Sequence, residues 1–362
     1  MDVALVYNVK KEEAVDAASV AQPSSQDQHT THTNLSPRDI QLAPSADAFA
    51  EWDTIETIHA VRDALSLRHT VSLIEADDNA FDTLKADQPD IVFNIAEGRF
   101  GASREAQIPA ILEMLNLPYT GSDPLTLSVC LDKSRAKEIL SYYNVANPKF
   151  AVISSLSELQ SLSFPVPAMV KPLFEGSSKG IFNSSLVHSQ EELVKQVKSV
   201  VEEYGQPALI EEFLPGREFT VAMLGNGNDL KVLPIVEIKF DSLPSGVNPI
   251  YSYEAKWIWD QSSNPLEIFE CPAKLDNSLK TAIENLCKNT YNILRCKDWS
   301  RIDVRLDKNG RPNIIEINPL PGILPKIEDN SCYPKAARMA GLNYNQMLNA
   351  VLDAGLKRYN LL

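Results

Sequence analysis

Three α/β lobes are predicted for this chain of 362 residues. Three observations carry that prediction. Short apolar strand patterns alternate with helical ones at the start, a second strand–helix series follows residue 149, and a hairpin signal precedes two closing helices.

The first lobe, residues 1–125, opens with DVALVY at 2–7, then VSLIE at 71–75 and DIVFNI at 90–95, all short buried strands. Helical periodicity lies around 55–65 and 105–116, so the strands should form a parallel sheet. Between the first strand and that helix, residues 10–53 are rich in Ser, Thr, Gln, Asp and Pro and read as a long mobile insertion. His29 and His32 fall inside it and read as solvated. Asp123-Pro124 starts a helix, with the carboxylate as N-cap and proline at the first helical position. That helix runs to about Tyr143, carries Asp132 and Lys133, and enters a second lobe at 126–214. From 149 to 213 the pattern is strand, strand, helix, strand, with a Gly/Ser-rich loop at 175–180. The third lobe, 215–362, has long alternating strands, a helix near 276–295, a hairpin at 299–318 and two final helices.

Charge narrows the function. Thirty-four Lys and Arg against 48 Asp and Glu give a net charge of −14. That field repels nucleic acid and anionic lipid, so neither is an expected partner. No run reaches the roughly 18 apolar residues of a membrane span, and residues 1–7 lack the basic start of a signal peptide. The five cysteines are scattered without a Cys-x-x-Cys pair, which suits reduced thiols in a cytoplasm rather than zinc or a disulfide framework.

The most informative stretch is RIDVRLDKNGRPNIIEIN, 301–318. With Asn309-Gly310 as a two-residue turn, Asp303 faces Glu316 and Arg301 faces Asn318. These polar groups share one face, while Ile302, Val304, Ile315 and Ile317 share the other. Two carboxylates that close call for a cation between them, so Asp303, Glu316 and Asn318 make an oxygen site for Mg²⁺. The bland alternative is an amphipathic hairpin whose charges pair at the surface. In MVKPLFEGSSKG, 169–180, Lys171 ends a strand before a loop that exposes backbone N–H groups suited to phosphate, or that merely connects. In LIEEFLPGREF, 209–219, Glu211 and Glu218 could accept from a purine amino group and ribose hydroxyls, or be surface residues.

Taken in order, these motifs resemble the D-alanine–D-alanine ligase branch of the ATP-grasp superfamily. The stretches that carry the resemblance are PYTGSDPLTLSVCLDKSRAK, VKPLFEGSSKG, IEEFLPGREFTV, YSYEAKW, RIDVRLD, IIEINPLPG and SCYPKAARMAGLNY. It implies an ATP-grasp fold with nucleotide held between the central and C-terminal lobes, and a homodimer. By the resemblance, Lys133 and Lys171 contact ATP phosphates and the loop of Glu175, Ser177 and Ser178 closes over them. Glu211 and the Phe213–Leu214 backbone hold adenine, Glu218 holds ribose, and Lys256 reaches phosphate from the third lobe. Asp303, Glu316 and Asn318 would bind two Mg²⁺, with Mn²⁺ as an alternative ion. Arg301 and the Gly322 backbone would stabilise an oxyanion, with Ser177 and Lys256 also in the catalytic set. Ser331 would help hold the second substrate's carboxylate.

The departures concentrate in the substrate pocket. The family's Gly-Gly-x-Ser-x-Glu run is missing, and Glu51 is the nearest substitute for its amino-binding glutamate. Glu97 stands where histidine is common, and Trp257 where tyrosine is. The expectation is an ATP-dependent carboxylate–amine ligase working through an acyl-phosphate, on substrates other than a pair of D-alanines. A carboxylate phosphotransferase, a non-catalytic nucleotide-binding protein and a true D-alanine–D-alanine ligase are the alternatives.

Overall fold

The computed structural model describes residues 1–10, 51–259 and 266–362, without the Trp257 side chain. Most of the expected insertion, with His29 and His32, lies outside the described residues, as does the Trp257 side chain assigned to the substrate pocket.

The first lobe is built from β1 (Asp2–Tyr7), α1 (Ile55–Ser66), β2 (Thr70–Glu75), α2 (Ala80–Asp87), β3 (Ile91–Asn94) and α3 (Gln107–Met114). Its sheet is parallel, in the order β2-β1-β3. Val3, Ala4, Leu5 and Val6 are all buried, as a central strand covered on both faces requires. The helix expected from residue 105 starts later, because Arg104–Ala106 form a 3₁₀ turn. That turn buries Arg104.

The single helix expected over 124–143 is two helices, α4 (Pro124–Leu131) and α5 (Lys133–Tyr142). Asp132 divides them with ψ 93°, and its carboxylate accepts from the Ser134 and Arg135 amides at 3.0 and 3.1 Å. Aspartate is a poor helix interior and a strong N-cap, so the chain restarts there. Lys133 and Lys137 then sit one turn apart on the same face of α5. Cys130, Ala136 and Leu140 pack against Phe219, Val221, Ile302 and Val304, so both helices join the core of the third lobe.

The second sheet contains β4 (Phe150–Ile153), β5 (Ala168–Pro172), β6 (Leu186–Val187) and β7 (Ala208–Glu212), antiparallel in the order β4-β7-β5-β6. α6 (Gln190–Tyr204) covers one face with Leu193, Val197 and Val200, against Ala168, Val170 and Ile210. Alternation along the strands turns Lys171 and Glu211 to the opposite face.

The third lobe holds β8 (Glu218–Leu224), β9 (Lys231–Val232), β10 (Val236–Ile238), β11 (Phe269–Glu270), α7 (Asn277–Ile293), β12 (Trp299–Leu306), β13 (Pro312–Asn318), α8 (Cys332–Met339) and α9 (Tyr344–Arg358). Its antiparallel sheet runs β11-β10-β8-β12-β13, with β9 beside β8. The third lobe also packs on the first. Asn349 on α9 donates to the Ala64 carbonyl of α1 at 2.8 Å, and Trp299 lies edge-on to Phe93 of β3. Among the described residues, no helix is long and apolar enough to cross a membrane.

Candidate active site

The β12–β13 hairpin pairs Arg301 with Asn318 and Asp303 with Glu316, the register expected near its base. The tip is different. Asp307 pairs with Arg311 through a 2.9 Å backbone hydrogen bond, leaving a three-residue loop in which only Gly310 has positive φ, +76°. A bulge after Asp303 absorbs the extra residue, so Val304 faces Ile314. Ile314, rather than the expected Ile315, fills the core, and the Ile315 carbonyl accepts from Lys137 Nζ at 3.0 Å.

Cations flank the two carboxylates. Arg301 grips Asp303 with two hydrogen bonds of 3.1 and 3.0 Å, and Asn318 Nδ2 donates to the same carboxylate at 3.3 Å. Lys133 Nζ lies 2.8 Å from Glu316 and also donates to the Glu175 carbonyl. Burial works against ionising Glu316, but Lys133 and Lys171 outweigh it and hold its pKa below the usual value. Asp303 keeps the Arg301 guanidinium firmly protonated against the cost of its burial.

Behind them, Glu211 sits between Lys137 and Lys171, at 2.7 Å from each. Burial favours its neutral form, but the two lysines win and pull its pKa down to about 2. Leu214 is buried, and Phe213 stacks under the Arg305 guanidinium at 4.7 Å. Arg305 also pairs with Glu218 at 2.6 Å. Glu211 is thus fixed by two lysines, and Phe213 and Glu218 by Arg305.

A cleft enclosing roughly 800 Å³, part of it open to solvent, gathers many of the expected residues. Lys133, Lys256, Arg301, Glu316, Asn318 and Gly322 line it. Lys256 lies on a π-helical turn, Glu254–Trp259, and burial followed by the nearby Arg301 charge lowers its pKa to about 8. Glu51, Asp53, Glu97, Glu105 and Ser177 line the same cleft. Burial is the first cause that raises Asp53 to about 7, Glu105 to about 8 and Glu97 well above the carboxylate range.

Three expected residues are placed differently. Glu51 accepts from the Gly176 amide at 2.6 Å and pairs with Arg104 at 2.7 Å, so both its oxygens are engaged by protein. The Glu175 carboxylate faces Arg104, Lys179 and Gln206, and only its carbonyl meets Lys133. Ser331 Oγ donates to the Gly322 carbonyl at 3.0 Å and braces that peptide. Ser178 Oγ reaches the Tyr251 carbonyl at 2.9 Å, tying the loop to the third lobe.

Arg104, Glu105, Lys137 and Arg305 were not singled out from sequence. Lys137 follows Lys133 by one helical turn, and Arg305 shares the strand face of Arg301 and Asp303, so both carried a periodic signal. Arg104 had none, since its partners are 53 to 71 residues away.

Similarity to known proteins agrees with this geometry. Residues 140–353 match the family model described as D-ala D-ala ligase C-terminus. The uncharacterized protein y4sG of Sinorhizobium fredii is 36% identical, over 80% of this chain and 84% of that one. A D-alanine–D-alanine ligase of Bordetella avium is 33% identical, over 74% and 78% of the two chains. A crystal structure of a Bacillus anthracis D-alanine–D-alanine ligase complexed with ATP superposes with TM-score 0.68 at 21% identity, covering 99% of this chain and 98% of that one. The three-lobed architecture is thus the ATP-grasp fold. The chain belongs to the D-alanine–D-alanine ligase family of that superfamily and is an ATP-dependent ligase that forms a C–N bond.

Proposed function

We propose that this ligase activates the carboxylate of one amino acid with ATP and joins it to the amine of another, and that D-alanine is not its preferred first substrate. The observation that carries the reading is the mixed lining of the cleft. Lys133, Lys256, Arg301 and Glu316 share it with the acids Asp53, Glu97 and Glu105.

Lys133 and Lys171 would meet ATP phosphates, with Lys256 approaching from the third lobe. The Glu211–Leu214 segment and Glu218 would hold adenine and ribose, between the central and C-terminal lobes. Asp303, Glu316 and the Asn318 amide offer only oxygen donors to a metal, which fits Mg²⁺. Among the described residues no three His, Cys, Asp or Glu side chains converge as a metal site, so phosphate oxygens and water would complete the shell. Two bound ions would neutralise charge on the transferring phosphoryl group. Arg301 and the Gly322 amide would stabilise the oxyanion formed after the amine attacks. The carboxylate oxygen attacks the γ-phosphorus and ADP leaves. The amine then attacks the acyl carbon, phosphate departs, and the amine loses a proton.

Glu51 is committed to the loop and to Arg104, which supports giving substrate recognition to Glu97 and Glu105 instead. Burial raises the pKa values of these acids, and a cationic or amino-bearing group bound beside them would let them ionise and be favoured in turn. We place lobe boundaries at 1–125, 126–214 and 215–362, though α4 and α5 share the third lobe's core. A homodimer and soluble, small-molecule partners complete the reading.

A screen of ADP release over paired D- and L-amino acids, including basic ones, tests this. Another pair, with a basic or diamino first substrate, should exceed two D-alanines in kcat/KM by at least tenfold. The highest value for two D-alanines would restore the family's commonplace substrate. ADP release that needs no amine would favour phosphotransfer instead.

A further inference from the structure

Arg104 has no part in the chemistry just described, yet it is buried where the first lobe meets the loop of residues 175–180. Its Nη1 donates to the Phe174 carbonyl at 2.7 Å. Its Nη2 lies 2.7 Å from Glu51 and 3.3 Å from Glu175. Glu51 in turn accepts the Gly176 amide at 2.6 Å. The side chains of Arg104, Glu51 and Glu175 are 10%, 9% and 10% exposed, so these pairs are far better shielded than surface ones.

Two residues of the loop sit in a sparsely populated backbone region. Ser177 and Ser178 both have left-handed φ, 50° and 61°, a region costly for residues with a Cβ. A Cβ at Gly176 would stand 2.6 Å from Glu51 Oε1, so any side chain there would displace that carboxylate. Glu51 lines both the active cleft and a second cavity, whose walls include Arg104, Glu175, Trp52, Phe100, Phe174 and Tyr204.

We propose that Arg104 is a positioning residue: through Glu51 and Glu175 it latches the 175–180 loop to the first lobe, closing the active cleft off from the second cavity. A planar guanidinium can serve two carboxylates and a carbonyl at once, whereas an ammonium on a flexible stem cannot hold the same fork. Releasing the latch frees the loop and merges the two spaces. This rests on the reading that the loop covers bound phosphate, because only then does the latch act in the reaction.

Trypsin cleavage of the full-length protein at the Lys179–Gly180 bond reads the latch directly. Lys179 is only 14% exposed and held by Glu175, while Lys274 is 84% exposed and serves as an internal control. Arg104→Gln should be cut at Lys179 at least tenfold faster than the unaltered chain, with cleavage at Lys274 unchanged. Arg104→Lys should fall between, and Glu51→Gln should also accelerate cutting. The double variant should be no faster than its faster parent, since both substitutions break one device. Folded Arg104→Gln and Glu51→Gln proteins cut at the normal rate would overturn the proposal, and Glu51→Gln alone decides it if Arg104→Gln does not fold. Adding the β,γ-imido analogue of ATP separates the two readings. Faster cutting in the variants without nucleotide protection of the unaltered chain supports the latch and removes the loop's phosphate role instead.

Discussion

Lys256 has lost half its charge by about pH 8, because its surroundings remove water and place Arg301 nearby. If it meets phosphate, affinity for ATP should be level well below that pH and fall as the lysine loses its proton. Titration calorimetry with the imido analogue across pH 6–10 should show a bend near 8 that Lys256→Met abolishes. The same bend in the variant would assign the titration to another group. Glu211 is the opposite case, a carboxylate that two buried lysines hold ionised. Glu211→Gln leaves both lysines uncompensated and should cost roughly 3–5 kcal/mol in urea unfolding. Its depressed pKa places that contribution above the ordinary carboxylate value of 4.5, fading as pH falls toward 2. The deficit should therefore be full at pH 7 and shrink below pH 4.5. An equal deficit at pH 7 and pH 3 would show that packing, not charge, explains it. Residues of this kind were partly legible. Glu211 and Lys171 lie in strand patterns that announce their face, whereas Arg104 is defined by partners brought from distant segments.

At the scale of elements, the hairpin shows how two misreadings cancel. The Asn-Gly signal suggested a two-residue turn, and the chain uses three residues with positive φ at Gly310 alone. The bulge at Ile315 restores the register, so Asp303 still faces Glu316. Bulges leave little mark in sequence, because Ile314 and Ile315 are equally apolar and only packing chooses between them. Deleting Ile315 should keep Ile314 in the core and Glu316 opposite Asp303, but remove the carbonyl that holds Lys137. The shortened protein should fold, with a melting temperature within a few degrees, and lose about tenfold in kcat. Unfolding instead would mean that the outer register, not the base, governs the hairpin. Asp132 is a similar lesson: hydrophobic periodicity runs through it, but its carboxylate is better placed as a cap, and the break points Lys133 into the cleft.

For the whole molecule, a net charge of −14 surrounds a cleft in which Lys133, Lys256 and Arg301 sit among carboxylic acids. The fold class was legible because each lobe repeats short strands and helices with clear starts and stops. Less legible was the sharing of cores: α4 and α5 pack with the third lobe, and α9 braces the first, so the lobes are not independent beads. That arrangement lets residues from all three lobes meet at one cleft, as a reaction joining nucleotide, acid and amine requires. The central claim is that a carboxylate is activated by phosphoryl transfer in this cleft and then captured by an amine. It is tested most directly by labelling the carboxylate of the best acid from the ADP-release screen with ¹⁸O and analysing the released phosphate by mass spectrometry. The account predicts one ¹⁸O in each phosphate released, matched by one amide bond formed. Amide formation with phosphate free of label would contradict it.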